Sequence, residues 1–396
     1  MIRLSSAAAS FVAGGGRDVV HEQPLEAGAH VQLVDDHGSE VGIAIADPEN
    51  KKLRVLAVPS DGFTKLDGAL LGLRVERALA LRKRLGLPGP DHAYRLIHGA
   101  GDGLPGFACD VLGKIAVVYA YGDVLRALGK TLAEAVIGFA QLDGAVVKLR
   151  ARGGAGEVAQ DVIGTVPEQA IVTEHGVPYE THPLGGLNVG LFTDMREQRR
   201  GLARFAAGMR VLNLFAYTGS LGLVCARSGA ASVTSVDTSS GVLAWANGNF
   251  GRSGLTNDRG ERGAESSARR DDPRWKFETG DASRFLVRAA RDKERYDLVL
   301  IDPPSTSSAG GVSWALGRDY PELIAKAAAV IPPDGLLWLA ANTHELGSLG
   351  KLAHKGLRLA GRTGAILEQA GLPPEYPTVT AQPADRYLQV CLLRLA

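Results

Sequence analysis

The chain has 396 residues, of which 45% are hydrophobic and 22% are charged, and its formal net charge at pH 7 is +1. This length predicts two or three domains, and the near-neutral charge argues against a protein that coats nucleic acid non-specifically, although it allows a local basic face. No stretch approaches the roughly 18 apolar residues of a membrane helix, so we expect no membrane partner and a cytoplasmic location.

The start of the chain and its cysteines exclude two further classes. Residues 1–16 carry a single cation and lack the sustained apolar segment of a secretory signal, so we expect a loosely ordered leader. Cys109, Cys225 and Cys391 lie far apart in apolar runs. They are predicted to be buried reduced thiols, without a disulfide framework or a metal site.

The amino-terminal part, residues 1–64, is predicted to be a small β domain. Short alternating runs separated by turn residues fill residues 28–58. A helix is predicted next, over residues 66–85. We interpret its cations as a solvated face, with contact to phosphate as the alternative. These cations are Arg74, Arg77, Arg82, Lys83 and Arg84.

The middle part, residues 65–182, is predicted to be an α+β domain. It contains the strands RLIH and FACDVL, a helix over residues 124–139 and the strand AVVKLR. The glycines of GAGDGLPG are interpreted as turn formers rather than a phosphate cradle, because no helix opens directly after them. Residues 151–182 are expected to be a connection.

From about residue 183, strands and helices alternate with the spacing of a parallel α/β sheet. Five strands are each followed by a predicted helix, and RYLQVCLLRL is a final strand. The helices are predicted over residues 220–228, 240–250, 282–293, 319–330 and 345–358. The polar segment at 253–275 is interpreted as a surface loop.

Two segments of this part indicate a nucleoside-binding crevice. RVLNLFAYTGSLG is a strand that breaks into a glycine turn at Gly219 and opens a helix, and YDLVLIDPPS is a buried strand that ends in Asp302. Asp237 closes the intervening strand, where a carboxylate can accept hydrogen bonds from both ribose hydroxyls. The pattern favours a methyltransferase over a dinucleotide dehydrogenase, because the full GxGxxG fingerprint is missing.

The loop Asp302-Pro303-Pro304 is the candidate catalytic segment. Methyl transfer is a displacement that needs collinear reactants about 3 Å apart more than a strong base, and a rigid turn suits that task. The alternative is that Asp302 only caps a turn. Asp281, after the third strand, could accept from the adenine amine.

Residues 183–396 resemble the catalytic domain of the class I 23S ribosomal RNA methyltransferases, the group with the cytosine-C5 and guanine-N7 large-subunit enzymes. The matching segments are GLFTDMREQRR, NLFAYTGS, SVDTSSGVLAWANGN, ETGDASRFL, LVLIDPPS, GRDYPELI and RYLQVCLLRL. RLIHGAGDGLPGFACDVLG resembles the family's central domain, and the amino-terminal β domain resembles its PUA-type RNA-binding module more weakly.

The resemblance implies a Rossmann-like methyltransferase domain with a mixed seven-stranded sheet, preceded by a small PUA-like β domain and a central α+β domain. It implies S-adenosylmethionine as cofactor and ribosomal RNA as partner. The implied contacts are Asn213, Phe215, Tyr217 and Gly219 at the methionine half, Asp237 and Thr238 at the ribose, and Asp281 and Ala282 at the adenine. Arg196 and Arg199 match a segment that runs over the cofactor pocket, with a salt-bridged helix surface as the alternative.

Two departures from the family bear on the target atom. Methylation at cytosine C5 requires a thiolate that adds to C6. In the cytosine branch this cysteine follows the fifth strand, where this chain has residues 340–343, AANT. Asn342 resembles the guanine branch instead, and Thr306 replaces a usual aromatic residue.

We therefore expect an RNA methyltransferase that acts on guanine rather than cytosine. A small-molecule or protein methyltransferase of the same fold, and a catalytically weak RNA-binding relative, are the alternatives. The first alternative predicts turnover without RNA, and the second predicts RNA binding without methyl transfer.

Overall fold

The computed structural model describes residues 1–89, 92–150, 160–255, 274–307, 314–343 and 347–396, with the backbone alone at 306–307. The chain divides into two compact units. The first comprises Met1–Gly176, Glu180–Asp194 and Pro374–Asp385, and the second comprises Val177–Tyr179, Met195–Pro373 and Arg386–Ala396. The three-domain division at residues 64 and 182 stays a prediction. The loop predicted at 253–275 lies mainly outside the described residues.

Five short strands open the first unit and form one sheet. They are β1 (Ile2–Arg3), β2 (Asp18–Val20), β3 (His30–Val34), β4 (Glu40–Asp47) and β5 (Lys52–Ala57). Their order is β1-β3-β4-β5-β2. The pairs β3-β4, β4-β5 and β5-β2 are antiparallel, and β1 pairs in parallel with β3. The strands predicted over residues 28–58 are thereby confirmed.

The prediction of a loosely ordered leader is wrong. Residues Ser6–Ala13 form helix α1, and β1 pairs in parallel with β3. The Ser5 hydroxyl accepts from the N–H of Ala8 at 3.3 Å and caps the helix, while Leu4 and Val12 are buried in the core of this sheet. Alanine is the best helix former, and the burial of Leu4 and Val12 anchors the segment on the sheet.

Helix α2 (Gly68–Arg84) forms where a helix was predicted, but two of its cations are buried. Arg74 pairs with Asp61 at 2.5 Å, and Arg82 donates two hydrogen bonds to Asp102, at 2.5 and 2.9 Å. The prediction of a solvated face is wrong at these two positions, because both guanidinium groups are paired inside the unit. The other three cations of the helix are exposed.

A second sheet completes the first unit. Its strands are β6 (Ala93–His98), β7 (Phe107–Leu112), β8 (Ile115–Ala120), β9 (Gly144–Leu149) and β10 (Gln160–Gly164), in the order β10-β9-β8-β7-β6, with helix α3 (Arg126–Ala140) between β8 and β9. Two more strands are β11 (Ala170–Glu174) and β12 (Val177–Thr181). The prediction of a plain connection over residues 151–182 is wrong for residues 160–182, which form three short strands, and residues 151–159 lie outside the described residues.

The second unit contains a seven-stranded sheet and six helices among the described residues. The sheet strands are β13 (Arg210–Leu214), β14 (Ser232–Asp237), β15 (Trp275–Thr279), β16 (Leu298–Ile301), β19 (Leu336–Asn342), β20 (Gly364–Gly371) and β21 (Leu388–Leu395). A short pair, β17 (Thr306–Ser307) and β18 (Trp314–Ala315), lies outside this sheet. The helices are α4 (Arg196–Ala203), α5 (Ser220–Arg227), α6 (Ser240–Arg252), α7 (Ala282–Arg291), α8 (Leu316–Ala328) and α9 (Leu349–Leu359).

The sheet order β15-β14-β13-β16-β19-β21-β20 places a topological switch point between β13 and β16. The strands from β15 to β19 are parallel, and β21 pairs antiparallel with β19. From β13 the chain builds outward to one edge, then returns to the other side of β13 at β16. Ligand crevices of open α/β sheets form at such a point, outside the carboxyl ends of the strands.

Strand β20 was not predicted. Its sequence, GAILEQAG, lacks strict alternation, and a bulge between Ile366 and Glu368 shifts its register on β21.

Within the described helices, none is long and apolar enough to span a membrane. No cluster of three or more potential metal ligands occurs in the described part of the chain.

Candidate active site

Two loops leave neighbouring strands at the switch point. One follows β13 over residues 215–219, and the other follows β16 over residues 302–305. Because β13 and β16 are paired in parallel, both loops start at the same edge of the sheet. The sequence analysis predicted both segments as site elements, and the fold brings them side by side.

The turn after β13 has an unusual backbone. Phe215 and Tyr217 have positive φ angles of 56° and 48°, and Gly219 has 78°. A left-handed conformation costs a residue with a side chain roughly 1–2 kcal/mol, so neighbouring contacts must hold this turn. The N–H of Ala216 donates to the carbonyl of Val236 in β14 at 3.0 Å, and that of Gly219 donates to the carbonyl of Ala216 at 2.8 Å.

The glycines of this turn allow helix packing. A Cβ on Gly219 would lie 2.9 Å from the Cβ of Ala246 in α6, and a Cβ on Gly222 would lie 3.0 Å from Val233 Cγ1 in β14. The sequence analysis attributed Gly219 to the approach of a ligand. The positive φ and the contact with α6 are sufficient reasons for glycine here, and a ligand contact at Gly219 stays a prediction.

Asp237, at the end of β14, accepts two backbone hydrogen bonds, one of them from this turn. Its Oδ2 accepts from the N–H of Tyr217 at 2.9 Å, and its Oδ1 accepts from the N–H of Ser239 at 3.0 Å. Each oxygen can accept a further hydrogen bond, because a carboxylate offers about four acceptor sites. Asp237 therefore both ties down the turn and retains acceptor capacity for the two hydroxyls of a ribose.

The predicted adenine residues lie beside Asp237. The N–H of Gly280 donates to the Asp237 carbonyl at 2.9 Å, and Asp281 caps α7 by accepting from the N–H of Arg284 at 2.9 Å. Asp281 is exposed, and so is Thr238. Ala282 is buried as the first residue of α7. The structure thus brings the carboxyl ends of β14 and β15 together, while the adenine and ribose contacts stay predictions.

Asn213 is placed differently from the other predicted residues. It is 1% exposed in β13, opposite Ser235 of β14, and its Nδ2 would lie 3.1 Å from a Cβ on Gly222. Neither polar atom of its side chain has a hydrogen-bond partner among the described residues, and the same holds for the Ser235 hydroxyl. Asn213 therefore faces α5 from within the sheet, and a cofactor contact of its side chain stays a prediction.

Two of the three arginines of α4, Arg196 and Arg199, are buried. Arg199 is 1% exposed, with its guanidinium 5.9 Å from the centre of the Tyr179 ring. Arg196 is 7% exposed and pairs with Glu197 at 3.1 Å. Both arginines are buried rather than on the helix surface, although Arg196 does make a salt bridge. Their approach to a cofactor stays a prediction.

Hydrogen bonds fix the loop Asp302-Pro303-Pro304 and the residues on either side of it. The hydroxyl of the fully buried Tyr320 lies 3.0 Å from the Ile301 carbonyl and 2.9 Å from the Ala340 carbonyl, so it bridges the ends of β16 and β19. Ser305 and Trp314 each donate one further hydrogen bond. The Ser305 hydroxyl donates to the Asn342 carbonyl, and the indole N–H of Trp314 donates to the Pro304 carbonyl at 2.9 Å.

Tyr320 remains a hydrogen-bond donor throughout the ordinary pH range. Burial is the main reason why its pKa lies well above the usual value, and the negative charge of Asp302 raises the pKa further. The phenol has one proton, which the two carbonyls share. The Tyr320 hydroxyl thereby fixes the distance between the carboxyl ends of β16 and β19.

We expect Tyr320→Phe to lower the free energy of unfolding by about 1 kcal/mol, because two carbonyls lose a buried donor. Urea unfolding measures this change. Tyr121→Phe is the matched control, since the hydroxyl of Tyr121 has no hydrogen bond in the described part of the chain. Equal stability of the two variants would contradict the bridging role.

Sequence reasoning missed Tyr320, Trp314 and Ser305 as site residues. Tyr320 lies in the segment GRDYPELI, which was noted for its family resemblance but given no role. The only available signal was a polar aromatic residue within an apolar helical pattern, which fits a core position equally well. Its two hydrogen bonds depend on the tertiary fold.

The fold and the crevice define a Rossmann-like, nucleoside-binding α/β enzyme. Residues 95–393 match the profile of the S-adenosylmethionine-dependent methyltransferases. The chain belongs to this family, and it is therefore a methyltransferase with S-adenosylmethionine as its cofactor. The alternative of a dinucleotide dehydrogenase is thereby excluded.

The chain is also similar to proteins named ribosomal RNA large subunit methyltransferase I. It is 26% identical to the protein of Alteromonas mediterranea over 373 residues, which cover 91% of this chain and 89% of that protein. It is likewise 26% identical to a protein of Klebsiella pneumoniae over 380 residues, which cover 93% and 90% of the two chains.

Solved structures show the same fold over the full length. A protein of Streptococcus mutans, provisionally assigned as a SAM-dependent methyltransferase, superposes with a TM-score of 0.84 at 23% identity and 100% coverage of both chains. A second crystal structure, of a provisionally assigned methyltransferase in complex with SAH, gives a TM-score of 0.85 at 23% identity and the same coverage.

The residues at the switch point fit this cofactor. A ribose requires a carboxylate with free acceptor capacity at the end of the second strand, and Asp237 provides it. The turn over residues 215–219 is fixed to β14 by the hydrogen bonds of Ala216 and Tyr217, so its conformation is set before a ligand binds. The sulfonium methyl is the only reactive group that the cofactor supplies.

Proposed function

We propose that the protein methylates a base of large-subunit ribosomal RNA, and that this base is a guanine. The RNA assignment is supported by relatives with that printed name, which align over about nine-tenths of both chains. The choice of guanine is carried by one observation. Asn342, rather than a cysteine, lies at the end of β19 beside the loop that follows β16.

The cofactor would lie across the carboxyl ends of β13, β14 and β15. In this proposal Asp237 and Thr238 hold the ribose, Asp281 and Ala282 flank the adenine, and the turn after β13 encloses the methionine half. That turn contributes Phe215, Tyr217 and Gly219, with Asn213 beneath it and Arg199 on α4.

The acceptor would lie against Asp302-Pro303-Pro304. Displacement at the methyl group requires a fixed line between acceptor and sulfur, and this loop is fixed by Tyr320, Ser305 and Trp314. The N7 lone pair of guanine attacks without a base. An exocyclic N2 amine would instead be oriented by the carboxylate of Asp302.

The buried positions of the cysteines argue against cytosine-C5 chemistry. Cys391 pairs with Leu339 within the sheet and is part of the core, and Cys225 lies on the buried face of α5. Burial raises the pKa of the Cys391 thiol to about 11 and that of the Cys225 thiol to about 12. Neither group is a thiolate near neutral pH, and Cys109 is also fully buried.

We expect Cys109→Ala, Cys225→Ala and Cys391→Ala each to retain methyl transfer, apart from modest packing losses. Iodoacetamide at pH 8 should leave all three thiols of the folded protein unmodified, because alkylation needs the thiolate, and should label them in urea. A covalent adduct with RNA that contains 5-fluorocytosine, abolished by one of these substitutions, would contradict the absence of a nucleophile.

The amino-terminal β domain is proposed to be a diverged PUA-like module that contributes to RNA binding. Support comes from its compact antiparallel sheet, β3-β4-β5, and from the weak sequence resemblance. Its role is best tested by charge changes at exposed cations within residues 1–64, such as Arg3 and Lys51.

The central experiment is radiolabelled methyl transfer to total RNA from cells that lack the gene, followed by mass spectrometry of nucleosides. A labelled methylguanosine from large-subunit RNA is expected. Finding 5-methylcytidine would overturn the choice of base. Labelling of a protein or a metabolite without RNA would instead favour the small-molecule or protein alternative.

A further inference from the structure

Trp314 lies beside the loop that is proposed to hold the acceptor. Residues Thr306–Ser307 and Trp314–Ala315 pair as antiparallel strands, with Ser307 opposite Trp314. This pairing returns the chain to the loop Asp302-Pro303-Pro304, and the indole N–H then bonds to the Pro304 carbonyl at 2.9 Å. The indole is thus attached to the loop proposed to hold the acceptor.

The orientation of the indole is fixed by two aromatic neighbours. Its ring centre lies 6.1 Å from that of Phe215, at an interplanar angle of 42°, and 6.4 Å from that of Tyr320, at 68°. Phe215 is the residue with positive φ that follows β13, so Trp314 spans the two loops of the switch point. One part of the ring packs on the core of the unit.

Trp314 is only half-buried, although its N–H and part of its ring are engaged. A large aromatic surface left accessible beside a reaction site is costly to hydrate, and a planar, weakly polar ligand removes that cost by stacking. Nucleobases are such ligands, and stacking on an aromatic side chain contributes about 1–3 kcal/mol per base. A base taken out of its helix for chemistry also loses its own stacking partners.

We propose that the indole of Trp314 is the stacking surface for the target base, so that Trp314 sets the plane of the acceptor relative to Asp302. This inference rests on the proposed function, because it requires a nucleobase acceptor. It assigns Trp314 a contact with substrate. The hydrogen bond to Pro304 fixes the ring and does not take part in the transfer.

Two substitutions separate stacking from a merely structural role. Trp314→Phe keeps an aromatic face but loses the N–H, and Trp314→Leu keeps apolar volume but loses the face. We expect Trp314→Leu to lower the single-turnover rate with 23S ribosomal RNA from the deletion strain about fivefold or more at subsaturating RNA. Trp314→Phe should stay within about twofold of wild type, and both should bind S-adenosylmethionine as wild type does.

Phe139→Leu is the matched control, since Phe139 is an aromatic residue that is 51% exposed on α3. Tryptophan fluorescence gives a second readout, because stacking quenches the indole. Addition of the RNA should reduce the emission of wild type and leave that of Trp314→Phe, which retains the other three of the four tryptophans, largely unchanged.

The outcomes are distinguishable. If wild type labels RNA and Trp314→Leu is equally fast, or if both Trp314 variants are slowed to the same extent, the stacking role is wrong while the proposed function stands. If wild type labels no RNA, the proposed function fails and the stacking role fails with it.

Discussion

Replacement of Asp237 by alanine is expected to weaken S-adenosylmethionine binding by about 1–3 kcal/mol, or roughly 5- to 150-fold. Two losses combine. The ribose would lose a charged acceptor, and the N–H groups of Tyr217 and Ser239 lose the carboxylate that fixes the turn after β13. Because the turn holds two residues at positive φ, its release should also increase local mobility.

Calorimetric titration with S-adenosylmethionine measures the effect. Asp237→Asn is the matched control, because its amide oxygen can still accept from one backbone N–H while the charge is lost. We expect it to fall between wild type and alanine. Unchanged affinity in Asp237→Ala would remove Asp237 from the cofactor site, and tight NADH binding by wild type would contradict the family assignment.

Replacement of Asp302 by alanine is expected to lower the methyl-transfer rate at least tenfold, about 1.4 kcal/mol of barrier, while cofactor affinity stays within a few-fold. We expect an effect on the transfer rate without a large effect on cofactor affinity because of where Asp302 lies. Asp302 leaves β16, next to the loop fixed by Tyr320 and Trp314, whereas the proposed ribose and adenine residues follow β14 and β15.

Single-turnover transfer to ribosomal RNA, with the product nucleoside identified, provides the measurement. Asp281→Ala is an informative comparison, because Asp281 caps α7 at an exposed position and should affect cofactor affinity rather than the rate at saturation. Loss of affinity in Asp302→Ala without loss of the saturated rate would place Asp302 in the cofactor site instead.

The part of the chain from about residue 183, in which strands and helices alternate, could be predicted well from the sequence because its strands are largely apolar runs. LVLI of β16 and SVTSVD of β14 are buried strands in which period and residue type agree, and each is followed by a turn or capping residue. Asp237 and Asp302 were found because a polar residue at the end of a buried strand must lie at the sheet edge.

The remaining features depend on contacts that no local pattern records. Helix α1 was missed because an alanine-rich segment is compatible with both a coil and a helix, and burial of Leu4 and Val12 decides between them. The buried ion pair of Arg82 with Asp102 resembles a surface charge in the sequence. Gly219 was predicted to contact a ligand, whereas the atom nearest to a Cβ at this position belongs to Ala246 of α6.

The interleaving of the two units makes the protein resistant to dissection. The segments Glu180–Asp194 and Pro374–Asp385 belong to the first unit although they flank or interrupt the catalytic sheet along the chain. Within that unit the Thr193 hydroxyl lies 2.6 Å from that of Tyr376 and donates to Asp110 at 2.6 Å, and all three residues are buried. A fragment beginning at residue 183 would carry Thr193 and Tyr376 away from Asp110 and expose them. A recombinant catalytic half is therefore an unsuitable reagent, and exchange of domains between relatives would require several junctions rather than one.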